Sequence, residues 1–185
     1  MDISARIEKL RLTAAMDGPR GPEWLVLRWT PSTTTSKSTL FRYLTEPDLL
    51  ALWSPIVPDR PLTRPGTAVA RESPESPSTT AYVVSVVPGQ EVTHRWGRDT
   101  LRWRLIDGGV IESDGCRLKL EQELERPEYA SKYAAGWHVC LAVLDALLAG
   151  EKQERIVGAD ALDHGWRALR RTYWEQLPGQ SDQDL

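Results

Sequence analysis

The chain has 185 residues and a net charge of −3. That length allows a single domain with a sizeable core, and the slight acidity argues against non-specific nucleic-acid binding as its task. Eight Trp stand against one Phe, so large rings carrying one donor each are available both for core walls and for a ligand pocket.

Met1 to Leu12 carries Asp2, Arg6, Glu8 and Lys9 and lacks an apolar central stretch, so no signal peptide is expected. No run is long enough to span a bilayer. Cys116 and Cys140 are expected to stay reduced thiols, and the expected location is cytoplasmic. Ile3, Ile7 and Leu10 share a helical face, giving a short helix over 2–11, with an edge strand through Ile7-Leu12 as the alternative. Asp17-Gly18-Pro19-Arg20-Gly21-Pro22 breaks the chain. Residues 1–22 therefore read as an N-terminal extension, 23–177 as the domain, and 178–185 as a disordered tail.

Trp24 to Thr30 is β-rich and bounded by Pro31, the mark of a first strand. Ser36 to Leu44 reads as a helix with Leu40, Phe41 and Leu44 on one face. Pro47 interrupts it before further helical turns through Trp53. Four prolines between Ser54 and Pro65 predict an irregular loop. Strands are predicted at Thr67–Ser73, Thr79–Val87, Val92–Trp96, Leu101–Leu105 and Arg117–Leu124, most of them alternating between apolar and charged residues. Asp107-Gly108-Gly109 and Asp114-Gly115 bracket a loose hairpin connection. Consecutive strands of this kind pair antiparallel.

From Glu128 to Ala149 the period changes. Tyr129, Tyr133, Trp137, Cys140 or Leu141, Leu144 and Leu148 fall on one helical face, with Pro127 at the start and Gly150 at the stop. This long helix is the candidate cover for the apolar sheet face of Leu101, Trp103, Leu105, Leu118 and Leu120. A last helix is predicted from an Asp160 cap to Gln176, with Leu162, Trp166, Leu169, Tyr173 and Leu177 inward. The fold class is α+β: a curved antiparallel sheet of about six strands wrapped on a long C-terminal helix, two short helices after the first strand, and one extra C-terminal helix.

Leu44-Thr45-Glu46-Pro47 with Leu52-Trp53, then Pro65-Gly66, Arg95-Trp96, Trp103 and Ala135-Gly136-Trp137, in this order, resemble the START-like helix-grip superfamily, also called SRPBCC or birch-pollen-allergen-like. Within it the chain is similar to the branch of homologues of the activator of the heat-shock-protein ATPase. The resemblance covers about Trp24 to Ala149; the Trp166–Tyr173 helix looks like a tail of bacterial members. It implies a cavity between sheet and long helix that takes lipids, sterols, polyketides or other apolar molecules. Some members are cyclases or aromatases, and others sequester an antibiotic for its producer, as in enediyne self-resistance. A small hydrophobic molecule is thus the expected partner, with natural-product sequestration as one form of the task. A cyclase- or aromatase-type enzyme, or a chaperone-associated or homodimeric stress-response module, are the alternatives.

The candidate wall residues are Trp53, Tyr82, Trp96, Trp103, Tyr133 and Trp137, which would suit a ring-containing ligand; the same stripe would serve a filled core. Gln122 sits in the apolar register of Leu118, Leu120 and Leu124, either as a cavity hydrogen-bonding group or at a strand end already in solvent. His94, on the face of Val92 and Trp96, is either a cavity acid/base or a bonded core histidine, and His138, one step past Trp137, carries the same two readings. No metal-ligand spacing, nucleophile signature or phosphate loop is present, and no cofactor is implied. The expectation is a binder rather than an enzyme.

Overall fold

The computed structural model describes residues 2–17, 24–108 and 115–179. Of the expectations above, Gly18 to Pro22, Gly109, Asp114 and most of the 178–185 tail lie outside the described residues. A short helix, α1 (Ile3–Lys9), and strands β1 (Leu12–Asp17) and β2 (Trp24–Trp29) come first. Then follow α2 (Lys37–Thr45), α3 (Pro47–Leu50), β3 (Val57–Pro58), β4 (Val69–Arg71), β5 (Thr79–Thr80), β6 (Val83–Val87), β7 (Glu91–Trp96), β8 (Asp99–Asp107) and β9 (Cys116–Glu123). A 3₁₀ turn at Pro127–Tyr129 leads into α4 (Ala130–Leu148), and a second 3₁₀ segment, Gly158–His164, precedes α5 (Trp166–Gln176).

The main sheet is antiparallel throughout, in the order β1-β2-β9-β8-β7-β6, while β3-β4-β5 form a small separate sheet. Register sets the inner face in rows. Leu27, Leu120, Trp103 and Val92 lie side by side across four strands, and Leu25, Gln122, Leu101 and His94 form the next row. On the outer face the alternating charges pair across strands: Arg104 of β8 lies 2.6 Å from Glu91 of β7 through Nε and 3.3 Å from Glu121 of β9 through Nη1. These exposed pairs set register more than they stabilise.

Helix α4 lies across the inner face. It is buried nearly all round from Val139 to Ala146, as a helix covered on two sides must be. The sheet covers one side, and α1 and α5 pack on the rest. The segment read as an N-terminal extension is built into this packing. β1 pairs with β2 from Leu12 to Asp17, Ile7 joins the core, and buried Arg6 forms an ion pair with Asp145 of α4. Ser32 caps the same carboxylate through its N–H at 2.7 Å and its hydroxyl at 2.6 Å.

Ser36 begins α2, its hydroxyl accepting the Thr39 N–H at 3.1 Å, the usual satisfaction of a free helix-start donor. The Ser54–Pro65 stretch, predicted as an irregular loop, contains β3, which pairs with β4, and two further predicted elements differ. The Thr79–Val87 strand divides: β5 joins the small sheet and β6 the large one, and the β6–β7 register shifts between Val83 and Ser85. Asp160 does not cap a continuous last helix. It lies inside the 3₁₀ segment, which Gly165 ends with φ 80° before α5 begins, a left-handed conformation that only glycine adopts freely.

Candidate functional site

The aromatic residues that the sequence singles out fall into two groups around Trp137. Trp53, Trp103 and Trp137 are at most 2 % exposed. They pack edge to face, with ring centroids 6.1 Å apart for Trp53–Trp103 and 5.1 Å for Trp103–Trp137. They fill the space between the sheet and α4 at this level.

Each polar atom of that group has an internal partner. Trp53 Nε1–H donates to the Tyr43 carbonyl at 3.0 Å, and Trp137 Nε1–H to Gln122 Oε1 at 2.8 Å. Gln122 is fully buried, and its amide donates to Asp99 Oδ2 at 2.6 Å; Asp99 Oδ1 takes the Glu125 N–H at 2.9 Å. The Arg95 carbonyl can only accept, so His94 Nδ1 carries the proton and Nε2 accepts the Trp103 indole N–H at 3.1 Å. Burial lowers the His94 pKa to about 4. His94 is thus a neutral core residue with both nitrogens engaged.

His138 is placed similarly. Its Nε2–H donates to the Ile7 carbonyl at 2.8 Å and its Nδ1 accepts from the Tyr173 hydroxyl at 2.7 Å, tying α1, α4 and α5 together. Burial lowers the His138 pKa and raises that of Tyr173. Neither histidine lines an open space. Tyr82 is 46 % exposed on the opposite surface, because alternation turns Ala81 and Val83 inward and Tyr82 outward.

The open space lies on the other side of Trp137. A cleft of about 490 Å³ runs along α4, between Tyr129, Lys132, Tyr133, Gly136, Trp137 and Cys140 on the inner wall and Ile156, Val157, Gly158, Ala161, Leu162 and Trp166 on the outer wall, with Trp96, Pro55 and Glu72 closing it. Tyr129, Tyr133, Gly136 and Cys140 form one stripe of the helix, spaced at four, three and four. Trp96 bridges the two aromatic groups, its centroid 5.7 Å from Trp137 and 6.2 Å from Tyr133. Gly136 makes the floor open: a methyl built there would meet nothing closer than Trp166 Nε1 at 4.0 Å. Among the described residues, neither Trp96 Nε1–H, Trp166 Nε1–H nor the Tyr133 hydroxyl has a protein partner. Burial pushes the Cys140 thiol up to about 12, and it points at the Ile156 carbonyl 3.8 Å away, so it is inert as a nucleophile.

Of the eight candidate site residues, the six aromatic wall residues with His94 and Gln122, only Trp96, Tyr133 and Trp137 border the cleft; Trp53, His94, Trp103 and Gln122 lie closed behind it and Tyr82 stands apart. The outer wall and Glu72 were missed. Trp166, on the polar terminal helix, was the one available signal, and it reads there as a core contact.

The antiparallel sheet closed over one long helix defines the protein as an α+β helix-grip fold. The chain belongs to the family of activator of Hsp90 ATPase homolog 1-like proteins, whose model matches residues 34–149. That span holds the inner wall of the cleft and not the outer one. No curated protein matches the sequence. Among solved structures, it is similar to a conserved protein of unknown function from Enterococcus faecalis, at TM-score 0.64 and 16 % identity over 94 % of this chain and 93 % of that one. The solution structure of CalU16 from Micromonospora echinospora matches with TM-score 0.66 and 15 % identity over 90 % and 93 % of the two chains. An AHSA1 protein from Silicibacter pomeroyi matches at TM-score 0.52 and 21 % identity, over 69 % of this chain and 99 % of that one. These likenesses are of fold. No helix among the described residues is long and apolar enough to cross a membrane.

Proposed function

We propose that the protein binds a small, ring-containing hydrophobic molecule in the cleft between α4 and the Ile156–Trp166 segment, and that it holds this molecule rather than transforming it. The observation that carries the reading is an aromatic-walled space of about 490 Å³ beside a buried aromatic core. That is the size of a small-molecule site, and its exposed indole and phenol groups would bond a ligand's oxygens. Binding without turnover follows from the chemistry at hand: His94 and His138 have both ring nitrogens engaged away from the cleft, and Cys140 stays a thiol. Sequestration of a natural product is the form of the task that suits such a site. Two buried free thiols, Cys116 and Cys140, accord with a reducing cytoplasmic setting.

The test uses N-phenyl-1-naphthylamine, a neutral fluorescent ring probe, followed by an apolar compound panel. Wild type is expected to bind the probe with a micromolar Kd. Gly136→Leu, which fills the floor and suits the helix better than glycine, is expected to keep the melting temperature and lose the probe. Absence of binding by the probe and the whole panel, or undiminished binding by Gly136→Leu, rules the reading out.

A further inference from the structure

Glu72 is the acidic side chain on the cleft wall. It follows β4 and sits against Gly158 of the outer wall. A Cβ built at Gly158 would meet Glu72 Oε1 at 3.2 Å, and that glycine has φ 58°. The backbone therefore makes room for the carboxylate at this end of the cleft. No hydrogen bond or ion pair engages the carboxylate among the described residues. The hydrogen bonds of the nearby cations go to backbone carbonyls and not to this carboxylate. Arg155 donates to the carbonyls of Ser54, at 3.2 Å, and of Glu72 itself. Arg71 donates to the Ser76 carbonyl at 2.9 Å.

The other charge on the wall, Lys132, lies 4.3 Å above the Tyr129 ring. It stands two helical turns from Cys140, about 12 Å along α4. The Cys140 thiol feels both Arg155 and Glu72, which puts the carboxylate at the Cys140 end. Between the two ends are the rings of Trp96, Tyr133, Trp137 and Trp166. Aromatic walls with one unpaired carboxylate attract an organic cation twice over, through the ring quadrupoles and through direct charge.

Resting on the binding reading above, we infer that the ligand carries a cationic amine, seated against Glu72 with its apolar ring body along Trp96 and Trp166. A neutral lipid or hydrocarbon would leave the carboxylate facing apolar surface, which costs free energy when water is displaced. An amine removes that cost and gains the attraction. The ligand class is thus an amine-bearing aromatic or polycyclic compound.

Two probes of the same shape separate the terms: (2-naphthylmethyl)trimethylammonium and its neutral carbon isostere, 2-neopentylnaphthalene. Each is titrated by Trp fluorescence into wild type, Glu72→Gln and Gly136→Leu. Glu72→Gln keeps the shape of the side chain and leaves the Arg155 bond to the backbone carbonyl in place. It is expected to weaken the ammonium probe about tenfold and to change the neutral probe less than twofold. Equal affinity of wild type and Glu72→Gln for the ammonium probe, with Gly136→Leu excluding both, overturns the amine assignment and leaves the cleft as a neutral binding site. Failure of both probes to bind wild type removes the binding reading, and this inference with it.

Discussion

On the sheet side of Trp137 the indoles of Trp53 and Trp103 are sealed, and the N–H groups of Trp53, Trp103 and Trp137 each have an acceptor: Tyr43, His94 and Gln122 in turn. On the far side Trp96, Tyr133 and Trp166 have the same kinds of atoms and, among the described residues, leave them unpartnered along an open cleft. Composition does not distinguish the regions; the supply of internal acceptors does. Gln122 and His94 occupy one buried row of the sheet with Leu101 between them, and each takes one indole proton. The far wall, formed by the Ile156–Trp166 segment, brings no such acceptor to Trp96, Tyr133 or Trp166. Closed aromatic packing is thereby a core, and the unclosed packing is the proposed site.

The comparison breaks most directly at the shared residue. Trp137→Ala removes a plug from the core and a wall from the cleft, and strands Gln122; a loss of about 3–5 kcal/mol is expected in urea unfolding, with loss of probe binding. Acid reaches the closed side through His94. The His94 pKa is lowered to about 4 in the folded protein, against about 6.5 when unfolded. Between these values the unfolded chain holds the extra proton, so stability falls as pH drops from about 6.5 to 4, by up to about 3 kcal/mol from this group. The His94 ring signals should accordingly not titrate above pH 5 in NMR spectra.

Gln122→Leu leaves the Trp137 N–H without its acceptor and removes a donor from Asp99, for an expected loss of about 1–3 kcal/mol in thermal or chemical unfolding. The smallest effect has the opposite sign. Gly136→Ala fills only open space and relieves a mid-helix glycine, so it should stabilise by about 0.5–1 kcal/mol. The same substitution should weaken binding of ring probes modestly, which separates the cleft from the core in a single variant.

Much of this fold is legible in the sequence because alternation reports parity. Leu101, Trp103 and Leu105 against Arg102 and Arg104 place β8 unaided, and the 3.6-residue period places α4. The same parity, applied to Ala81-Tyr82-Val83, turns Tyr82 outward, where a β-rich run of Thr and Val obscured it. Burial of His94 and Gln122 was within reach; their partners were not. Those depend on register between strands, and Asp99 lies 23 positions from Gln122. The outer wall carried the weakest signal. A polar connector and a 3₁₀ segment have no apolar period, so Glu151 to Gly158 read as a link and Trp166 as a core contact.

The account turns on which indoles meet the ligand. In ¹⁵N-labelled protein the eight indole N–H signals can be followed during titration with N-phenyl-1-naphthylamine. The signals of Trp96 and Trp166 are predicted to move and, without ligand, to exchange rapidly with solvent, while those of Trp53 and Trp103 stay fixed and protected. Movement of Trp53 and Trp103 with Trp96 and Trp166 unchanged would place the ligand between sheet and helix and contradict the account.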